Sequence, residues 1–251
     1  MGAGDWLMAA GEARAIHERT GQNVVIVDRN GRPQWVDLWR GVPYILPCAE
    51  QGCAKVVSGS GVRPYIISKT SMRWKWKPYT PKPAELRFNL DEQSLAHELR
   101  GNVMIEPNVK DIGHRNKAWP WDRWQALVRE FPAATFVQCG PEGARRLDGV
   151  RQVVTRTIRD ALAVLSRSRA LVTTEGGLMH GAAAVGVRAV VLWSEYIAPA
   201  NTGYSMHVNL RHAGAGCGKR INCPSCRASM DAITVCEVRE ALVGILERAT
   251  A

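Results

Sequence analysis

The sequence predicts an α/β fold built on parallel sheets, and two observations carry that prediction. Short runs rich in β-branched residues recur along the chain with almost no polar interruption. Strands covered on both faces read that way. These runs alternate with stretches of helical length, the pattern of repeated strand–helix–strand units.

The elements follow in order. "NVVIVD" (23–28) and "RPYIIS" (63–68) read as strands of a short first unit. The segment "KTSMRWKWKPYTPKPAEL" (69–86) carries Pro78, Pro81 and Pro83, after an earlier Pro64. Proline lacks an amide donor and fixes φ, so no regular central element is expected there. The end of this segment is the expected boundary between a first domain, 1–90, and a second, 91–251. Strands then follow at "NVMIEP" (102–107), "ATFVQC" (134–139), "ALVTTE" (170–175) and "RAVVLW" (188–193). Helices are expected at 121–131, 158–168, 178–187 and 233–248. This second half is the clearer Rossmann-like unit.

A chain of 251 residues can bury one large or two small cores. It has no apolar run long enough to span a bilayer, and its opening "MGAGDWLMAAGEAR" lacks the basic start and apolar centre of a secretory signal. A cytoplasmic protein with no transmembrane segment is expected. The net charge of +10 and a pI of about 9.6 point to an anionic partner: a nucleotide, a nucleic acid or a phosphorylated glycolipid.

Three stretches carry candidate chemistry. In "TTEGGLMHGAAAVGV" (173–187) a strand ends at Glu175, Gly176 and Gly177 turn the chain, and a helix begins. A helix N-terminus at the carboxyl end of a parallel strand suits a diphosphate, with glycines allowing close approach. Glu175 could then accept from ribose hydroxyls and His180 reach a phosphate. The plainer alternative is a glycine turn followed by a packed histidine. In "KAWP" (117–120), Lys117 precedes a helix opened by Pro120, again past a strand. It either neutralises a leaving diphosphate or is a solvated lysine. In "GAGDWL" (2–7), Asp5 stands on a glycine-rich turn before a helix, as a general base or as a helix cap.

Together and in this order, "GDWL", "KAWP" and "EGGLMHGAAAVGV" resemble glycosyltransferase family 9, the heptosyltransferases of lipopolysaccharide core synthesis. The resemblance is strongest from about residue 100 to 210. It implies the GT-B architecture, two Rossmann-like domains facing across a cleft, with the N-terminal one short here. It further implies a nucleotide-sugar donor held by Lys117, Glu175, Gly176, Gly177 and His180, with Asp5 as base for an inverting displacement. No cofactor and no catalytic metal are expected. The sequence departs from the family at three points. No strand precedes the "GD" stretch, Glu175 replaces the usual aspartate, and Gly176 replaces a serine or threonine.

Two features stand outside those motifs. Arg73, Trp74, Lys75 and Trp76 interleave cations with indoles, which suits an anionic acceptor, either phosphorylated glycolipid or DNA. Their alternative is a surface loop whose tryptophans pack on the protein. A DNA acceptor would make the chain a phage-type enzyme acting on a hydroxymethylated base; a third reading is a non-catalytic nucleotide-binding module. Near the C-terminus, Cys217, Cys223, Cys226 and Cys236 follow a C-x5-C-x2-C-x9-C spacing. They are read as thiols or as a structural zinc site, rather than disulfides. Cys48, Cys53 and Cys139 are read as incidental thiols.

Overall fold

The computed structural model describes residues 2–58, 62–109, 115–212 and 214–248. Among them, the first part holds α1 (Ala3–Thr20), β1 (Val24–Val27), β2 (Ile45–Leu46) and β3 (Ala54–Val57), the strands forming a parallel sheet in the order β2-β1-β3. An antiparallel hairpin of β4 (Ile66–Lys69) and β5 (Trp74–Trp76) follows, then α2 (Leu90–His97). The second part runs β6 (Val103–Glu106), α3 (Trp121–Arg129), β7 (Phe136–Gly140), β8 (Arg151–Val154), α4 (Ile158–Leu165), β9 (Ala170–Thr174), α5 (Gly177–Ala184) and β10 (Ala189–Trp193). It ends with α6 (Pro199–Thr202), β11 (Val208–Arg211), α7 (Pro224–Ala232) and α8 (Val235–Arg248).

The second part forms one parallel sheet in the order β11-β10-β9-β6-β7-β8. Its first strand, β6, is central. The chain builds outward through β7 and β8, then returns to the other side of β6 as β9, β10 and β11. Connections therefore leave the carboxyl ends of β6 and β9 in opposite directions and open a crevice between them, the usual ligand position in such sheets. The residues of β9 and β10 are buried throughout, which explains their unbroken apolar runs. Val103, Ile105, Val172 and Val190 pack one face against Trp124 and Leu127 of α3 and Leu242 and Ile245 of α8. On the other face, Leu171, Val191, Leu162 and Met179 share a core with Leu7, Ala10 and Ile26 of the first part.

The expected strands and helices of the second part all form, within a few residues of their expected limits. "RPYIIS" forms a strand shifted to Ile66–Lys69 and paired in the hairpin, not in a central sheet. Pro120 caps α3 rather than opening its first turn. β2, β3, β5, β8, β11, α2, α6 and α7 were not expected; β5 forms within the proline-rich segment because it ends before Pro78. No helix among the described residues is long and apolar enough to cross a membrane.

Two of the contacts between the parts lie deep in the core. The first is α1, which begins at Ala3 and so carries Asp5 in its first turn rather than on a preceding loop. Its apolar side, Leu7, Met8, Ala10 and Ala13, is buried. It lies so close to its neighbours that two glycines are required. A Cβ at Gly4 would come within 2.7 Å of His180 Cδ2, and one at Gly11 within 1.9 Å of the Lys82 carbonyl oxygen. The proline-rich stretch crosses α1 there as a strap, with Tyr79 donating to Glu12 at 2.8 Å and Lys82 paired to Glu12 at 3.3 Å.

The second contact is Arg159, on α4 and only 2% exposed. Its guanidinium donates to both Glu92 oxygens, at 2.7 and 2.8 Å, and to the Leu38 carbonyl at 3.1 Å. Glu92 in turn accepts from the Asn89 amide in the capping box of α2. A buried ion pair is tolerated when its remaining donors and acceptors are satisfied, as here.

Two stability predictions follow from these contacts. Gly11→Ala forces a side chain into backbone that cannot rotate away, and should lose about 1–3 kcal/mol in chemical denaturation. Glu92→Ala leaves a buried guanidinium uncompensated and should lose about 3–5 kcal/mol. Wild-type stability in either variant contradicts the packing described.

Candidate active site

The crevice at the end of the large sheet collects the polar groups. β9 delivers Glu175 one residue past its end, and a short 3-10 turn, Arg115–Lys117, delivers Lys117. The Lys117 ammonium pairs with Glu175 Oε2, both side chains only 10% exposed, and sits 5.0 Å above the Tyr196 ring. A lysine this deep persists because it has a countercharge and an aromatic face.

Gly176 is extended, with φ 167°, a backbone any residue adopts. The small-residue requirement lies instead at Gly4, where α1 meets α5 and a Cβ would crowd His180, while a Cβ at Gly177 would stand at an ordinary 3.5 Å from both Ala3 Cβ and the Gly4 nitrogen. The first turns of α1 and α5 therefore touch. Each helix start has amides without helical partners and the positive end of a dipole, so two such ends converge on one point.

Asp5 stands at that point, with its side chain 10% exposed. Its Oδ1 accepts from the Tyr65 hydroxyl at 2.6 Å. The Arg63 guanidinium lies 2.9 Å from the same oxygen as an ion pair without a directed hydrogen bond. Oδ2 accepts from the amide of Gly2 at 3.1 Å; Gly2 is the N-cap and Asp5 bonds back to it from the third helical position, so Asp5 is not itself the cap. Burial, and then the Asp5 charge, hold the Tyr65 phenol well above its usual range, which keeps it a donor. Tyr65 stacks on Trp76 at 5.9 Å, and Trp76 meets Tyr196 edge-on at 5.2 Å while donating to the Tyr196 carbonyl at 2.8 Å. This aromatic chain connects the Asp5 side of the crevice to Lys117.

His180 is 3% exposed and turned inward. Its Nδ1 is 3.0 Å from the Tyr204 hydroxyl, and its ring faces Gly4. That is the packed histidine of the plainer reading; reach to an exposed phosphate is not its geometry. Burial lowers its imidazole from 6.5 to about 3, so it is neutral across ordinary pH.

Of the hairpin residues, Arg73 donates to the Cys217 carbonyl at 2.8 Å. Trp74 lies between the Arg63 and Arg220 guanidinium groups, at 5.2 and 5.0 Å. Lys75 is exposed, and Trp76 is part of the aromatic chain. The tryptophans thus pack on the protein, with guanidinium groups around them.

Sequence reasoning missed Arg63, Tyr65, Tyr196 and Glu106. The first two lay hidden inside a strand pattern. Tyr196 follows β10, at a third strand end facing the crevice. Glu106 ends β6 and accepts from the Asn108 amide at 2.7 Å; burial raises its carboxyl from 4.5 to about 7. A carboxylate closing an apolar strand at the sheet's switch point was the available signal.

The cysteine cluster differs from expectation. The sulfurs of Cys217, Cys223 and Cys226 lie within 4.8 Å of one another. Cys236 is exposed and donates to Glu240 at 3.2 Å. It is not the fourth member, because it is the second residue of α8, where its thiol bonds along that helix.

No protein-family profile matches the chain, and no curated protein matches it by sequence. Solved structures do match. E. coli ADP-heptose lipopolysaccharide heptosyltransferase II aligns with a TM-score of 0.52 at 21% identity, over 66% of this chain and 54% of its own. A family 9 glycosyltransferase from Veillonella parvula aligns at 0.53 and 13% identity, over 67% and 55%. An iron-containing dodecameric glycosyltransferase from enterotoxigenic E. coli aligns at 0.51 and 12% identity, over 70% and 52%. Over the aligned two thirds, the chain shares the fold of these structures. It spans about half the length of these proteins.

The buried imidazole makes a pH prediction. Because the folded His180 resists protonation, the unfolded chain binds a proton more readily below pH 6.5, and stability falls as pH drops from 6.5 toward 3. Between pH 7 and 5 this residue should cost about 2 kcal/mol. The stability of His180→Gln, followed by urea unfolding, should decline less over that interval than wild type. Equal slopes would remove His180 as a cause of acid sensitivity.

Proposed function

We propose that the chain is an inverting glycosyltransferase that takes a sugar from a nucleoside-diphosphate donor and passes it to a hydroxyl acceptor. One observation carries this reading: the first turns of α1 and α5 meet at the switch-point crevice with Asp5 on one side and Lys117 and Glu175 on the other.

The chemistry follows from that meeting. The diphosphate lies against the converging helix starts, whose free amides and dipoles favour anions. Lys117 exchanges Glu175 for phosphate oxygens and neutralises charge as the diphosphate leaves. Glu175, released, accepts from the ribose hydroxyls. The Asp5 carboxylate, held by Tyr65 and Arg63, accepts the acceptor hydroxyl's proton. The hydroxyl oxygen bonds to the anomeric carbon from the face opposite the diphosphate, which departs with the electron pair of the broken bond. His180 stays neutral and holds α5 against α1.

ADP-heptose, the donor named for the E. coli heptosyltransferase II, is the first donor to test. Arg63 beside the Asp5 carboxylate, with Arg220 against the same Trp74 ring as Arg63, favours an anionic acceptor, such as a phosphorylated glycolipid. DNA has weaker support, because Trp76, a candidate for base stacking, is occupied by Tyr65 and Tyr196.

Asp5→Asn should bind donor normally and lose about 10²–10⁴-fold in turnover. Lys117→Ala should weaken donor binding by about 10–100-fold, the value of one charge-assisted hydrogen bond. Calorimetry with nucleoside diphosphates and mass spectrometry of the acceptor read the two effects. Full donor affinity in Lys117→Ala sinks the donor site. Donor binding without turnover, unchanged by Asp5→Asn, would leave a nucleotide-binding module.

A further inference from the structure

We propose that Cys217, Cys223 and Cys226 bind one zinc ion, and that this ion clasps their loop to the turn presenting Lys117.

The donor set has the right dimensions. A zinc ion with sulfur ligands at about 2.3 Å in a tetrahedron separates those sulfurs by about 3.8 Å. The Cys217 sulfur stands 3.9 Å from that of Cys223 and 3.4 Å from that of Cys226. A disulfide needs about 2.05 Å and would leave one of the three thiols over. The surroundings suit thiolates as well. The Lys219 amide points at the Cys217 sulfur from 3.5 Å. Cys223 caps α7, at the positive end of that helix.

The protein supplies three ligands, and solvent supplies the fourth. Ser229, three residues beyond Cys226 on α7 and so on the same side of that helix, is buried with its hydroxyl unpartnered.

The loop is wired to the active site at each end. Asn116, the residue before Lys117, donates to the Lys219 and Ile221 carbonyls at 2.8 Å each and accepts from the Cys223 amide at 3.0 Å. The Cys217 amide donates to the Glu195 carbonyl at 2.6 Å, and the Gly218 amide to the Tyr196 carbonyl at 2.9 Å. The Trp74 amide of the hairpin donates to the Gly218 carbonyl at 2.9 Å. Fixing the three sulfurs therefore fixes the backbone around Lys117, Tyr196 and Trp74. The metal site stands apart from glycosyl transfer; only its value to Lys117 rests on the proposed function.

The test uses the full chain, purified reduced from zinc-supplemented cells. Elemental analysis should find one zinc per chain in wild type and in Cys236→Ala, and more than tenfold less in Cys226→Ala after dialysis against a chelator. Because Cys226→Ala can fail to fold, cobalt is added to stripped wild type as a second measurement. A tetrahedral thiolate site should give sulfur-to-cobalt charge-transfer absorption and intense visible bands. Removing zinc should also speed hydrogen exchange in peptides covering Asn116–Lys117 and Trp74–Trp76. A wild type that retains neither metal, or zinc that survives in folded Cys226→Ala or disappears in Cys236→Ala, overturns the site. A different metal at the same thiols overturns its assignment to zinc. Unchanged exchange overturns the clasp. None of these readings depends on turnover, so they fail or succeed separately from the proposed activity.

Discussion

The close approach of α1 to α5 is the constraint on which the rest of the site depends. With no side chain at Gly4 and only small residues at Ala3 and Gly177, two helix starts far apart in the sequence meet. That contact brings Asp5 from residue 5 to a crevice built from residues beyond 100. It also buries His180 so completely that the imidazole loses its charge. A larger residue at Gly4 would push the helices apart, separate Asp5 from the strand ends and wet the imidazole together. Packing, electrostatics and site assembly are one event here.

Charge compensation is the second theme. Lys117 with Glu175, Asp5 with Arg63, and Arg159 with Glu92 are each buried or nearly so, and each joins distant segments. Burial makes an unpaired charge costly, so each partner is held firmly until a competing charge arrives. In the Arg159 pair no ligand can compete, and the result is a structural tie. At Lys117 an incoming diphosphate can replace Glu175, so the same physics yields a binding group kept in position before its ligand comes. The strap over α1 and the hairpin at Trp74 hold the walls in which that exchange takes place.

The large sheet was legible because its inner strands are buried on both faces and so have no polar residues to break the pattern. Its edge strands β8 and β11 were not: "RQVV" and "VNLR" are partly solvated and carry polar residues. β2 is two residues long, below any periodic signal. Asp5 and Glu175 stood out because each adjoins a glycine near the end of an element, and Lys117 because Pro120, three residues on, marks a helix start. Tyr65 and Arg63 were missed because their role arises from a hairpin folding back onto α1, a long-range contact that local spacing does not encode. The sequence spacing suggested four cysteines as one set, and helix α8 takes Cys236 away from the others. The tryptophans looked like an open platform in sequence, and the fold turns them onto Tyr65, Tyr196 and two arginines.

A crystal structure of the chain with ADP or ADP-heptose tests the central claim most directly. The diphosphate should lie between the first turns of α1 and α5, with the Lys117 ammonium moved from Glu175 to a phosphate oxygen and the sugar's anomeric carbon facing Asp5. A diphosphate bound elsewhere, or one bound there with Lys117 still paired to Glu175 and Asp5 turned away, would contradict the account.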